Sequence, residues 1–397
     1  MQKPDITVGK TTIGNIVDML ADNLGDNSAL EYLSLDIKYN FREFRGICDQ
    51  VAKGLMALGI QRGEKVAIWA NNLPEWVYTQ YGSARMGAVL VTVNTSYRSA
   101  ELEYLLEQSD ATTIILTGGV READEYLKVI NKVCPTLKDC EPGKLDNPKL
   151  PFLKNVIYLG KDKIPGMYNW DEIMEMGKKV SDAELKQRLD SLDPDDVINM
   201  QYTSGTTGFP KGVMLSHTNL IGNAMSMATC MNLTPDDAMC IPVPFFHCFG
   251  CVIGTLCCMV SGATMAPVVA FNPVDVLKTV EASKCNALLG VPTMFIAEFE
   301  EMDKNTYDTS SLRTGVMAGS TCPIEVMKRV IKDMGAKEMT IVYGQTEASP
   351  GITQTRDNDS LELKTSTVGK ALPNVEVKIV DPITDEEMPV NEQGELC

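Results

Sequence analysis

The chain has 397 residues, enough for two or three units with substantial cores at roughly 150 residues each. Hydrophobic residues make up 44% and charged residues 22%, with a mean hydropathy of −0.06, which excludes a disordered or fibrous polymer. Lys plus Arg number 36 against 53 Asp plus Glu, so the net charge of −17 repels nucleic acid and anionic lipid, and an anionic ligand must be held by local groups.

Between Phe41 and Leu58 the apolar Phe44, Ile47, Cys48, Val51 and Leu55 recur at helical spacing, and Gly59 stands where a left-handed residue ends a helix. A strand is expected over Val66–Ala70, a helix from Pro74, and another strand over Ala88–Val93. Ser99 is the expected N-cap of a helix carrying Leu102, Leu105 and Leu106, and Ala111–Leu116 reads as the next strand. Residues 134–151 mix Pro, Gly and charge without periodicity and are expected to form a surface loop outside the core.

A second alternating region begins near Asp193. It has a strand from Val197, a helix opened by Asn272 and Pro273, a strand over Ala287–Val291, a helix between Pro323 and Gly335, and a strand over Met339–Tyr343. Beyond Gly351 the alternation around Val375, Val377 and Ile379, followed by a turn-rich stretch, suggests an antiparallel meander. The expected fold class is α/β with mostly parallel sheets: one α/β subdomain over 1–192, a second over 193–350, and the start of an antiparallel, barrel-like β subdomain over 351–397.

Twelve cysteines fall largely in apolar runs such as Cys251–Val260 and lack the spacing of a disulfide framework, which points to a reducing cytoplasm. The amino terminus has no apolar segment behind a basic one, and the longest apolar tract is about half of the roughly 20 residues a bilayer needs. Neither a secretory signal nor a membrane span is expected. Cys248 and Cys251 form a Cys-x-x-Cys, but a second ligand pair for zinc is missing, so small buried hydrophobes are the better reading. His217 reads as setting a turn or a helix start.

The segment Tyr202–Gly212 combines three glycines, four hydroxyls in Thr203, Ser204, Thr206 and Thr207, and Lys211. Glycines let backbone amides approach a ligand, hydroxyls donate, and the lysine brings a mobile positive charge, an inventory suited to a phosphate chain. It is not a Walker loop, because Pro210 precedes the lysine and strand-like residues flank both sides. The alternative for such a stretch is a flexible polar linker.

Tyr202 to His217 resembles the phosphate-loop signature of the adenylate-forming enzymes, the superfamily of acyl-CoA synthetases, peptide-synthetase adenylation domains and luciferases. Val342–Glu347 resembles the Tyr-Gly-x-Thr-Glu motif of the same superfamily, and shorter agreements lie at Pro244–Gly250, Gly290–Thr293, Ala318–Ser320 and Gly394–Leu396. The resemblance covers the chain from about residue 195 onward and is closest to the acyl-CoA synthetase type.

That resemblance implies a reaction in two steps: a carboxylic acid is activated by ATP to an acyl-adenylate with loss of pyrophosphate, and the acyl group passes to the thiol of CoA. It implies that Thr203, Ser204, Gly205, Thr206, Thr207, Gly208 and Lys211 surround the phosphates, and that Gly319, Ser320, Tyr343, Gly344 and Thr346 surround the nucleotide. By similarity Tyr343 stacks on adenine, Thr346 bonds the α-phosphate, and Glu347 holds Mg²⁺, with Lys211, Thr346 and Glu347 as the catalytic groups. His247, Gly319, Gly344 and Gln345 are implied to meet the acid. Read in isolation, Glu347 would be a surface carboxylate and His247 a structural imidazole.

Amino-acid substrates are disfavoured, because residues 245–250 include His247 and no acidic group. Acetyl-specific relatives carry Trp at the position of Gly344, so glycine there suggests a medium or longer acid, straight, branched or aryl. The partners implied are the acid, ATP and CoA, with a homodimer left open. The superfamily's ribose-binding Thr-Gly-Asp, its hinge and its small C-terminal domain with the adenylation lysine have no counterpart. The chain therefore reads as the large N-terminal domain of a longer synthetase, with little full turnover expected. Two other readings stay open: an enzyme that loads a carrier protein or oxidises its adenylate, and a non-catalytic nucleotide- or acyl-binding relative.

Overall fold

The computed structural model describes residues 4–120, 122–203 and 208–397. Two large sheets organise the chain. Across the first, the strands run in the order Tyr168–Asn169, Asn155–Tyr158, Ala111–Leu116, Lys65–Trp69, Val89–Thr92, Val197–Thr203 and Lys211–Ser216. All its pairings are parallel except the last, an antiparallel hairpin. The second sheet runs Lys370–Ala371, Gly351–Gln354, Glu338–Gly344, Thr314–Met317, Ala287–Gly290, Ala238–Ile241, Thr264–Pro267, Ser28–Tyr32 and Ile37–Asn40. Its centre is parallel and its two ends are antiparallel.

Sheet membership does not follow the expected division at residue 193. Val197–Thr203 pairs in parallel with Val89–Thr92 and so completes the first sheet, whereas Ser28–Tyr32 joins Thr264–Pro267 in the second. Each sheet thus borrows strands from the other half of the chain. Asn72, 4% exposed, rivets the two: its Nδ2 donates to Val243 O and Val268 O, and its Oδ1 accepts from Phe245 N.

Most elements follow from local sequence. The helix Phe41–Ala57 is capped by Asn40 and ends at Gly59 with φ +87°, and Asn272 caps Pro273–Ala282. Three expectations are corrected. The helix over residues 99–108 is entered from Arg98, with Ser99 already its first residue. The stretch 134–151 is not outside the core, because Leu137, Leu145 and Leu150 are buried in the cluster that also holds the stacked Trp69 and Tyr126 rings. Beyond Gly351 the pairing is antiparallel as expected but does not make one separate β unit: Gly351–Gln354 and Lys370–Ala371 extend the second sheet, Ile379–Val380 pairs with Glu395–Leu396 and, through Val380, with Glu387, and no closed barrel forms among the described residues. Among the described residues, no helix is long and apolar enough to cross a membrane.

Candidate active site

Ligands of α/β sheets bind beyond the carboxyl ends of the strands, where neighbouring chain segments diverge. In this protein both sheets point such ends at one cleft of about 760 Å³. Thr92 and Asn94 come from the end of Val89–Thr92, Gln201 to Thr203 from the end of Val197–Thr203, and Thr346 and Glu347 from the turn after Glu338–Gly344.

The strands on either side of the glycine-rich segment pair antiparallel, with Thr203 opposite Lys211 in register. Ser204, Gly205, Thr206 and Thr207, expected around the phosphates, lie outside the described residues. Phe209 stacks on Tyr104 with ring centroids 5.5 Å apart, and Tyr104 Oη donates to Pro210 O at 3.0 Å, so the helix Ser99–Gln108 holds the loop's second stem. Pro210 and Thr203 line the cleft, whereas Gly208 and the exposed Lys211 lie beside its wall rather than in it.

The second motif meets the first across the cleft. Thr203 Oγ1 donates to Glu347 Oε1 at 3.2 Å, joining strand ends that belong to different sheets. Thr346 is 8% exposed, with its Oγ1 3.7 Å from Cys248 Sγ. Asn223, on the helix His217–Cys230, buttresses this turn: its Nδ2 donates to Ala348 O and Gly351 O, and its Oδ1 accepts from Gly351 N. Gly319, with φ +86°, and Gln345 also line the cleft, while Ser320 and the half-exposed ring of Tyr343 stand outside its wall.

His247 follows the strand Ala238–Ile241. Its Nδ1 accepts Phe249 N–H at 3.1 Å, which in the neutral ring leaves the proton on Nε2. Desolvation by the surrounding walls lowers its pKa. The next segment, Phe249–Leu256, is a π-helix that turns Phe249 and Ile253 to the cleft. Burial pushes the Cys248 thiol up to about 11 and Cys251 well above its ordinary value, so both behave as small hydrophobes.

Gly344 lines the cleft, and the backbone is close to it: a Cβ there would lie 1.9 Å from Pro350 O, so in this structure a side chain at this position would require the two strands to shift. The cleft also contains Thr92, Asn94, Tyr97, Gln201 and Ile253, which were not singled out from the sequence. Applying the strand-end rule to the apolar run before Asn94 would have found the first three.

A profile of AMP-binding enzymes matches residues 18–397. The chain belongs to the AMP-binding enzyme family. It is 55% identical over 387 residues to YngI of Bacillus subtilis, which carries the name of an acyl-CoA synthetase, covering 98% of this chain and 70% of YngI. It is 36% identical to the mitochondrial medium-chain acyl-CoA ligase ACSF2 of Mus musculus, covering 97% of this chain and 63% of the mouse protein. These relatives place this AMP-binding enzyme among those of acyl-CoA synthetase type. The fold of the anthranilate CoA ligase AuaEII, solved with anthranoyl-AMP, superposes with a TM-score of 0.83 at 23% identity, covering all of this chain and 71% of that one.

Proposed function

We propose that the cleft activates a carboxylic acid with ATP and that the protein then forms the CoA thioester. The observation that carries this reading is the Thr203–Glu347 hydrogen bond, which brings the phosphate-loop stem and the Tyr-Gly-Gln-Thr-Glu turn to one cleft. In the first step a carboxylate oxygen attacks the α-phosphorus, the bond to the β-phosphate oxygen breaks, and pyrophosphate leaves. In the second, the thiol attacks the acyl carbonyl, loses its proton and expels AMP. Thr346 offers a hydroxyl beside the first transfer, and Lys211 a cation one strand-end away from the wall. A positive charge about 4 Å from a negative one contributes about 4 kcal/mol at an effective dielectric near 20, so local groups can offset the repulsion from a chain of charge −17.

Glu347 suits Mg²⁺. Among the described residues no three His, Cys, Asp or Glu side chains gather as a cage, so the chain offers one carboxylate at the cleft. Mg²⁺ takes one or two carboxylates together with phosphate oxygens and water, and it would neutralise phosphate charge. The apolar Phe249, Ile253 and Val342 support a medium or longer acid, and the free, mostly buried cysteines support a reducing cytoplasm.

The test is pyrophosphate release from Mg-ATP with straight, branched and aryl acids, with and without CoA. It is run on this chain and on the chain continued to the length of its relatives. Acid-dependent release, with acyl-CoA appearing when CoA is added, is expected from the longer protein. Release without acyl-CoA shifts the acceptor to a carrier protein, and no release with any acid overturns the reading.

A further inference from the structure

The wall of the cleft formed by the first sheet is not plain hydrocarbon. Val89–Thr92 and Val197–Thr203 pair in parallel with Thr92 directly beside Gln201, so these two side chains share one face and both line the cleft. Each is 2% exposed. The Thr92 hydroxyl oxygen is buried and meets no hydrogen-bond partner among the described residues. Among the described residues Gln201 Nε2 donates to Cys251 Sγ, a weak acceptor, at 3.2 Å, and its Oε1 has no hydrogen-bond donor. Two residues back on the same strand face, outside the cleft lining, Asn199 Oδ1 is also buried without a partner among the described residues.

Buried polar atoms in a finished protein are almost always paired, because desolvating them without a partner is costly. Here the unpaired Thr92 hydroxyl and the weakly held Gln201 amide stand side by side at the wall of a cavity that a ligand fills, while the other face of the same strands packs Val91 and Met200 into an apolar core. A hydrocarbon chain lying against Thr92 and Gln201 would leave them unpaired for as long as it stayed bound. A group that donates to Gln201 Oε1 and exchanges a hydrogen bond with Thr92 Oγ1 would satisfy both.

We propose that Thr92 and Gln201 form a hydrogen-bonding subsite for a hydroxyl or amide group of the bound ligand. The inference rests on the synthetase reading of the cleft and deepens it. Two ligands present this chemistry: an acid that carries a hydroxyl or amide beyond its carboxylate, and the amide-bearing pantetheine arm of CoA. The half-reactions separate them.

The variants are Thr92→Val and Gln201→Leu, which keep the approximate volume and remove the polar groups, with Thr92→Ser as the rescue that keeps the hydroxyl. The first readout needs no turnover: calorimetric binding of N-acylsulfamoyl adenosines that carry hexanoyl or each of its hydroxyhexanoyl isomers. An acid subsite is supported if one hydroxylated mimic binds about tenfold tighter than the plain one, if Thr92→Val and Gln201→Leu abolish that preference, and if Thr92→Ser restores it. The second readout is thioester formation. A pantetheine subsite is supported if the mimics bind alike to all variants while the KM for CoA rises about tenfold in Thr92→Val and returns in Thr92→Ser. If the mimics bind but neither preference nor KM changes, the subsite is refuted and the synthetase reading stands. If no mimic binds the unaltered protein, the adenylate reading itself has failed.

Discussion

Mild acid should loosen the seam between the first helix and the helix His217–Cys230, through one histidine. His217 is fully buried, its Nδ1 accepts Ile13 N–H at 3.1 Å, and its Nε2 meets no partner among the described residues. Burial lowers its pKa from 6.5 to about 4, against the weaker opposing pull of Asp196. The ring is therefore neutral in the fold, whereas the unfolded chain takes up a proton below 6.5. The histidine's contribution is intact above that value and is lost as the pH falls toward 4. At about 1.4 kcal/mol per unit the full loss is about 3 kcal/mol, and roughly 1.4 kcal/mol has gone by about pH 5.5. That condition stays above the isoelectric point of 4.7, so the chain keeps its negative charge and its solubility. The assay is urea unfolding followed by far-ultraviolet circular dichroism at about pH 7.5 and about pH 5.5. It compares the unaltered protein with His217→Asn, whose Oδ1 can take the Ile13 N–H without titrating. The unaltered protein should lose about 1.4 kcal/mol more than the variant between the two conditions. Equal losses would refute the assignment of this proton to His217.

Four further outcomes are expected. Lys211→Met should lower acid-dependent pyrophosphate exchange by about 100-fold while leaving the melting temperature unchanged, since the side chain is exposed. Tyr104→Phe keeps the stack on Phe209 but loses the bond to Pro210 O, and should raise the KM for ATP about fivefold, read in the same exchange assay. Gly344→Ala drives a methyl into Pro350 O and should cost about 1–3 kcal/mol in urea unfolding. Glu298 is fully buried, neither carboxyl oxygen has a partner among the described residues, and burial raises its pKa well above the ordinary value. The fold holds it protonated while the unfolded chain ionises above 4.5, so its penalty grows with pH, and Glu298→Met should stabilise the protein by about 1–3 kcal/mol near neutrality. A variant no more stable than its parent would show that the carboxyl is solvated or paired.

The parts of the fold that were legible in the sequence are those governed by neighbours in the chain. Ala111–Leu116 emerges with the bounds read from its β-branched run, and Asn272 with Pro273 opens a helix because cap and fixed φ act locally. The strands flanking the glycine-rich segment and the Thr346–Glu347 turn were legible because both belong to compact motifs. Pairing between distant segments was not. No local signal in Val197–Thr203 says that it will sit beside Val89–Thr92, and the partner of His217 lies 204 residues away. Leu137, Leu145 and Leu150 were missed as core because they are spaced irregularly among prolines and charges and bury themselves one by one. Thr92 was hidden for the opposite reason: within an apolar run it reads as an ordinary β-branched strand residue, and only the cleft gives its hydroxyl a meaning.

The exchange of strands between the two sheets has a cost during synthesis. After Val89–Thr92 has left the ribosome, its open edge must wait for Val197–Thr203, and the hairpin of Ser28–Tyr32 with Ile37–Asn40 must wait longer still for Thr264–Pro267. At roughly 5–20 residues per second the first delay is on the order of 10 s, long enough for an unpaired apolar edge to meet a second nascent chain. Yield from a cell should therefore depend on chaperone capacity and translation speed more than on the stability of the finished protein. A polypeptide cut near residue 193 should aggregate as two pieces rather than fold as two halves.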